Sequence, residues 1–553
     1  MDTSGGAPPR DRLGFRAIWL IVVACAALSM VIAAMASLNT AIPEIAPEIG
    51  ANSNQVTWLI DGYTLTIAAL LLPAGAIGDR YGRREVLVGG LVVFAIGSLL
   101  PIWVSNPDQF IAARALTGVG AAFVMPATLS VITAGVPETK RHLAVSIWAG
   151  VGGSGGIAGF FVTGVLLEFF SWESIFLTFG ISAAITTVLA CTIPTSKDST
   201  THKFDWIGSF TSAVGIGLLV FGLIEAPHRG WFDPLSLSAL IGGLALIGVF
   251  WWWQLRYSDP LLDVRLFNNR AFSAGTLSIT VQFLVIFGIF LVLLQQLQLV
   301  FGYSPLKAAV ALMPMVVLVM VFSLIGNWLT TRTSLRLILV FGMTAMGVGA
   351  IYLGAVRSDD YRTIVIAMLI LAVGLGIATA PSTTAIMVNT PTDNQGVGSA
   401  VNDTARELGS AIGIALGGSL LAAGYTRNIE PVARDAEASM QQLSTQLDAA
   451  GQTAQAQEAA AAAGTIGEHI TNTLAEALQV AAQLSPVDPE LAARITSGAI
   501  DAFEGPMSAS CLALGGVCLA TAVGLAVFAP KQIDDGTAER AAADEQAKAA
   551  ITE

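Results

Sequence analysis

Charge is scarce in this chain. Asp, Glu, Lys and Arg supply 12% of its 553 residues, about half of the ~25% typical of soluble globular domains, while 54% are hydrophobic and the mean hydropathy is +0.70. That balance excludes a water-soluble fold and points to an all-α polytopic protein with the lipid bilayer as its solvent. Cysteine is equally sparse: Cys25, Cys191, Cys511 and Cys518 all fall in apolar runs and form no CxxC pair, so neither a disulfide framework nor a metal site is indicated. The four histidines, His142, His202, His228 and His469, are expected in loops, which argues against a histidine proton relay. No Ser/His/Asp set, Walker loop or HExxH occurs, so the chain reads as no enzyme, with no cofactor and no ATP drive. The first apolar run lacks a small-residue cleavage site and reads as a retained helix. The net charge of −12 comes from acids outside the apolar runs and gives no ground for a nucleic-acid partner.

What is present is a series of runs of the ~20 apolar residues that a spanning helix needs. Fourteen are expected, near 17–38, 56–78, 86–105, 110–133, 144–168, 174–194, 205–226, 234–253, 272–297, 307–330, 337–356, 363–388, 398–423 and 507–529. Basic residues orient them. With the N-terminus inside, the inner segments hold Arg10, Arg12, Arg16, Arg80, Arg83, Arg84, Lys140, Arg141, Lys197, Lys203, Arg256, Arg265, Arg270, Arg332, Arg336, Lys531, Arg540 and Lys548; the short outer segments hold only Arg229, Lys307, Arg357 and Arg362. That asymmetry predicts both termini in the cytoplasm. Residues 424–505 depart from the pattern: they are rich in Ala and Gln, and Arg427, Arg434 and Arg494 oppose eleven acids. Helical apolar spacing over 468–484 predicts an extracellular helical hairpin.

The stretch GAIGDRYGRR (75–84) organises the rest. Asp79, Arg80, Arg83 and Arg84 crowd between two apolar runs, with Gly75 and Gly82 at the bends. Glycine permits the close approach and positive φ of a tight reversal, and three arginines keep the link in water. This signature resembles the cytoplasmic loop of the major facilitator superfamily of secondary transporters. The resemblance extends over nearly the whole chain, through WLIDGYTLTIAALLLPAGAIGDRYGRR (58–84), ARALTGVGAAFVMPATLSVI (113–132), DPLLDVRLFNNRAFSAG (259–275), LQLVFGYSPLKAAVALMP (297–314) and GSAVNDTARELGSAIGIALGGSL (398–420), and is strongest to QacA-like exporters of the 14-helix drug:proton antiporter branch. It implies a cytoplasmic N-terminus over 1–16, a six-helix half over 17–194, two linker helices over 205–253, a second half over 272–529 interrupted by the 424–505 insertion, and a cytoplasmic tail over 530–553. Two positions depart from the family. Ala34 stands where the first helix usually carries Asp, and GFFVTG (159–164) puts Phe160 and Thr163 in place of the Pro and first Gly of the antiporter motif.

An ionisable group inside a span costs roughly 2.5–3.5 kcal/mol on insertion scales, so each one needs a reason. Asp61 in WLIDGYTL lies close to Trp58 and Tyr63. It reads either as a carboxylate with aromatic faces suited to an organic cation, which protons entering from outside would displace by loading Asp61, Asp403 or Glu407, or as a hydrated residue in the interfacial belt. Asp403 and Glu407 in NDTARELG are spaced i, i+4 on one helix face. Two carboxylates that close in low dielectric resist joint ionisation, so one can hold a proton near neutral pH. Alternatively, the adjacent Arg406 neutralises one of them. Arg114 must pair with an acid, a carbonyl or water; the family resemblance implies a part in proton transfer, the other reading being a tie between helices. By the same resemblance Gly75, Asp79, Arg80, Gly82, Arg83 and Arg84 gate one face, while Asp79 alone can equally be read as a cap on the helix that follows it. Trp148, Gln295, Gln296, Met313 and Met387 suit either an adaptable drug pocket or plain packing. Glu168 and Glu225 fall at helix ends and are expected in solvent.

The resemblance implies a monomeric exporter in a bacterial inner membrane that drives lipophilic, cationic small molecules outward with the proton gradient. Two alternatives stay open: a dedicated exporter of an endogenous natural product or lipid, and a non-transporting scaffold that binds a partner through 424–505.

Overall fold

The computed structural model describes residues 14–51, 53–196, 204–356, 360–486 and 488–533. Most of the N-terminal segment, the basic link at Lys197–Lys203, Arg357 and most of the tail lie outside these residues. The described residues form helices and no strands. The first half comprises α1 (Phe15–Ile49), α2 (Ser53–Tyr81), α3 (Arg83–Leu99), α4 (Pro107–Gly135), α5 (Glu138–Phe169) and α6 (Glu173–Ala190); α7 (Trp206–Arg229) and α8 (Pro234–Gln254) follow. The remainder comprises α9 (Arg270–Gln295), α10 (Pro305–Thr330), α11 (Leu335–Ala355), α12 (Tyr361–Val388), α13 (Gln395–Ala449), α14 (Thr453–Asn472), α15 (Leu474–Leu484) and α16 (Pro489–Phe528). Fourteen of these helices are long and apolar enough to cross a membrane.

Local chemistry sets the ends. Gly82 turns the chain between α2 and α3 at φ 115°, a conformation that costs a glycine little. Asn106, Asp233, Asn269 and Ser304 cap α4, α8, α9 and α10 by accepting from first-turn N–H groups, which satisfies donors that the helix itself leaves open. Buried Asp205 does more than cap α7. It accepts from Gly208 N at 2.8 Å, Gln254 Nε2 at 2.8 Å and Trp253 Nε1 at 3.0 Å, so one carboxylate ties the start of α7 to the end of α8.

In the 424–505 segment the helices continue from the spans on either side. Helix α13 runs without a break for 55 residues, about 80 Å at 1.5 Å per residue and more than twice the ~30 Å hydrocarbon core. Hydropathy ends the apolar run near 423, but hydropathy reports where lipid sits, not where a helix stops. Beyond that point Ile429, Ala433, Ala436 and Met440 recur at helical spacing and are buried with Ala463, Ile466 and Ile470 of α14. Tyr425 Oη donates to Ile470 O at 3.1 Å, and Ser444 Oγ to Ala456 O at 2.8 Å. The segment is therefore the overhang of α13 and α16, with α14 and α15 packed on it.

Two of the helix pairs along which the halves meet show how close they come. Where α2 crosses α13, a Cβ added to Gly75 would lie 2.5 Å from Gly396 O, and one added to Gly396 would lie 2.5 Å from Gly75 O. Small residues allow this backbone approach where lipid offers no hydrophobic drive for association. Where α5 crosses α10, Ser323 Oγ donates to Ser146 O at 2.8 Å, and Asn327 Nδ2 donates to His142 O at 2.7 Å and Ser146 Oγ at 2.8 Å.

Candidate functional site

Helix α13 begins at Gln395, so Asp403, Arg406 and Glu407 lie two to three turns inside it, and all three are buried. Asp403 is 0% exposed. Its Oδ1 accepts from Asn402 Nδ2 at 3.2 Å, and Asn402 Oδ1 in turn accepts from Thr383 Oγ1 of α12 at 3.0 Å; its Oδ2 has no hydrogen-bond partner. Arg406, three residues on from Asp403, lies on the same side of α13 as that carboxylate, and the charges of both Asp403 and Glu407 act on it, although neither forms an ion pair with it.

Arg406 is the residue that sequence reasoning undervalued. It is 2% exposed, and none of its three guanidinium nitrogens has a hydrogen-bond partner. The guanidinium carbon lies 4.6 Å from the ring centre of Trp148 on α5 and 4.9 Å from that of Phe283 on α9. One ring thus comes from each half. Trp148 is fixed by its Nε1, which donates to Thr128 Oγ1 at 3.0 Å. Glycine at 152 leaves the space, since a Cβ there would lie 2.7 Å from Arg406 Nη1.

A second buried cation stands close by. Arg114 of α4 lies 4.4 Å from the centre of the Tyr63 ring, and its Nε donates to Leu59 O at 3.3 Å. Tyr63 Oη donates to Val31 O at 2.9 Å, and the Tyr63 ring is within electrostatic range of Glu407. Arg114 Nη2 has no partner. Arg114 lines a small cavity with Ala34, Ser37, Ser98 and Phe176. The departure at Ala34 therefore falls beside Arg114, which has no carboxylate there to meet its free nitrogen.

The structure brings Tyr63, Arg114, Trp148, Asp403 and Glu407 into one neighbourhood, but Asp61 and Trp58 face elsewhere. The Trp58 ring packs at a tilt, 5.5 Å from Phe221 of α7, and the charge that acts on Asp61 is that of Glu225 on the same helix. Residues 58 and 61 share one face of α2, and Tyr63 points from another. Glu225 is not in solvent as expected at a helix end: it is 5% exposed and accepts from Arg229 Nε at 2.5 Å. Met387 packs near the α12–α13 turn, where its carbonyl accepts from Gln395 Nε2 at 3.2 Å, and is not part of the α13 charge cluster.

At the motif end, Asp79 does not cap the helix that follows it. Its Oδ1 accepts from Gly396 N at 2.8 Å and its Oδ2 from Val397 N at 3.0 Å, so it caps α13 in the other half. Arg83 Nε holds the same carboxylate at 2.9 Å, and Arg83 Nη2 reaches Asp393 O at 3.5 Å. Arg84 turns instead to Glu85 at 2.8 Å, and Arg80 lies over Tyr81. Gly75, Asp79 and Arg83 thus join the halves, while Arg84 also donates to Ile193 O at 3.4 Å, just past the end of α6. Sequence reasoning also missed a polar tie between α9 and α12: Thr379 Oγ1 donates to Gln282 Oε1 at 2.7 Å, and Gln282 Nε2 donates to Ser278 Oγ at 2.7 Å. The signal was a Gln in an apolar run, as expensive there as a charge is conspicuous.

Fourteen spanning helices in two halves, with buried charges where the halves meet, define a multi-pass membrane transporter and not an enzyme. The chain belongs to the Major Facilitator Superfamily, whose sequence profile matches residues 19–414. It is similar to the methyl viologen resistance protein SmvA of Salmonella typhimurium, at 30% identity over 92% of this chain and 97% of the relative. It is also similar to the multidrug efflux pump LfrA of Mycolicibacterium smegmatis, at 31% identity over 77% of this chain and 85% of the relative. The solved proton:xylose symporter XylE shares the fold, with a TM-score of 0.55 at 12% identity over 94% of this chain and 97% of that one.

Proposed function

We propose that this protein is a drug exporter that expels lipophilic organic cations from a bacterial cytoplasm across the plasma membrane in exchange for protons, working by alternating access as a monomer with both termini inside. Its relatives are named for multidrug efflux and methyl viologen resistance. The observation that carries the chemical detail is the cluster on α13. Asp403 and Glu407 are buried carboxylates on α13, and the cation between them in sequence, Arg406, is held by two aromatic rings without hydrogen bonds. Carboxylates in such a place can exchange a proton for a cation, and the rings suit cations that lack N–H donors. The contacts of Gly75, Asp79, Ser323 and Asn327 hold the motif end shut, the arrangement in which a site opens only toward the other side. Ethidium efflux from cells expressing the protein, with and without a protonophore, tests the reading. Protonophore-sensitive efflux supports it, and absence of efflux from correctly inserted protein overturns it.

A further inference from the structure

We propose that the slot between the rings of Trp148 and Phe283 is the seat of the substrate's cationic group, and that the Arg406 guanidinium is its resident stand-in, displaced when substrate binds. This rests on the reading of the protein as an exporter of organic cations and gives that reading a place in the molecule.

Arginine presents five N–H donors in a rigid fork, and when buried it is normally found with acceptors. Here its nitrogens have none. What holds the guanidinium is the face of Trp148, the ring of Phe283 and the counter-charge of Asp403 and Glu407. Each of these depends on positive charge and shape, and none uses a hydrogen bond. A site that ignores the donors of its occupant serves equally well for a cation that has none, such as a quaternary ammonium, a phosphonium or a flat aromatic cation.

The location fits transport. Trp148 belongs to α5 and Phe283 to α9, so an occupant touches both halves at once and is felt by both when they rock. Trp148 is anchored by its bond to Thr128, and Phe283 stacks on Phe287 at 6.0 Å; the rings are the fixed parts. Arg406 sits on a flexible stem with no directional bond to break, which makes it the part that moves. Cation thus replaces cation on the same rings.

The test is binding of tetraphenylphosphonium and of uncharged triphenylphosphine oxide to the purified full chain and to R406Q, R406K, W148L and the double variant W148L/R406Q. Removing the stand-in should tighten tetraphenylphosphonium binding roughly tenfold, the scale of one desolvated cation–π contact, and leave the uncharged probe within about twofold. W148L should weaken binding, and in the double variant the gain should vanish, because the rings and not the lost charge are what the probe uses. A gain that survives in W148L/R406Q is a long-range charge effect and overturns the proposal, as does R406Q that binds no tighter. Should R406Q fail to fold, R406K decides: it keeps the charge but gives up flat stacking, so it should bind tetraphenylphosphonium more tightly than the parent, and equal or weaker binding overturns the proposal. A parent protein that exports neither ethidium nor tetraphenylphosphonium overturns the functional reading itself, whereas export of both with no gain in R406Q or R406K overturns only the stand-in.

Discussion

Gly75 of α2 and Gly396 of α13 meet backbone to backbone, each so close that a Cβ on either would lie 2.5 Å from the carbonyl oxygen of the other. The neighbouring Asp79 then accepts from two N–H groups at the start of α13. Together they form a lock between the halves that opens only if helices 321 residues apart in sequence (396 minus 75) separate.

Gly75→Ala should hold that lock open. A methyl group cannot share space with Gly396 O and Ala400 Cβ, the latter 2.7 Å away, and neither obstacle is a flexible side chain. The reporter is a cysteine at the buried Ser399, in a chain whose four native cysteines are replaced. Its labelling by a water-soluble thiol reagent should rise, and efflux should fall roughly tenfold, equivalent to about 1.4 kcal/mol on the rate-limiting step. Unchanged labelling and efflux would show that this approach is incidental.

Asp79→Ala removes the acceptor for Gly396 N and Val397 N and leaves Arg83 without its carboxylate. Each buried donor left open costs roughly 1–3 kcal/mol, a penalty paid only while the end is shut. The same Ser399 reporter should therefore label faster. Asp79→Asn keeps one acceptor oxygen and should fall between the two, an ordering that a purely local role in the 79–84 turn does not produce.

Neutralising the acids separates the α13 pair from Asp61. The single variants D403N and E407Q are the informative ones, because losing both acids strands Arg406 as an uncompensated buried charge, a defect of about 3–5 kcal/mol. In proteoliposomes with an imposed pH gradient, each should lose gradient-driven accumulation of ethidium while still exchanging it downhill. D61N should keep the gradient drive, since Asp61 faces Glu225 on α7 and not the α13 cluster. Loss of drive in D61N alone would move the coupling site to the α2–α7 face.

How much of this was legible in the sequence depended on whether a signal was local. NDTARELG announced buried acids on one helix face, and the GAIGDRYGRR turn announced a gate, because charge amid apolar residues is conspicuous wherever it lies. The partners were not legible. Asp79 reads as a cap for the adjacent α3, and only the fold shows that it caps α13, 317 residues away. Arg406 reads as a neutraliser of Asp403, because helical spacing reveals its neighbours on α13 and not the rings brought by α5 and α9. Asp205 lies at a helix end, where an acid is unremarkable until Trp253 and Gln254 are seen to converge on it. The end of α13 was misplaced for a different reason: apolar composition marks the lipid boundary, and beyond it the stripe Ile429–Ala433–Ala436–Met440 packs on another helix in place of lipid.

Ala34→Asp is the substitution that the structure invites. Ala34 and Arg114 line the same small cavity, and Arg114 Nη2 has no acceptor. A carboxylate at 34 would meet that nitrogen and replace an orphan donor with a charge-assisted hydrogen bond, worth roughly 1.5–3 kcal/mol. The pair would also tie α1 to α4, which move together within one half, so the gain should appear as stability and not as a jammed cycle. The expected result is a higher unfolding midpoint in detergent with efflux retained, and the gain should disappear when Arg114→Met is added to the same chain, since the double variant has no cation for the new carboxylate. A34D that lowers the midpoint, or raises it equally with Met at 114, would mean that the two side chains do not meet and that the free nitrogen of Arg114 is satisfied from elsewhere.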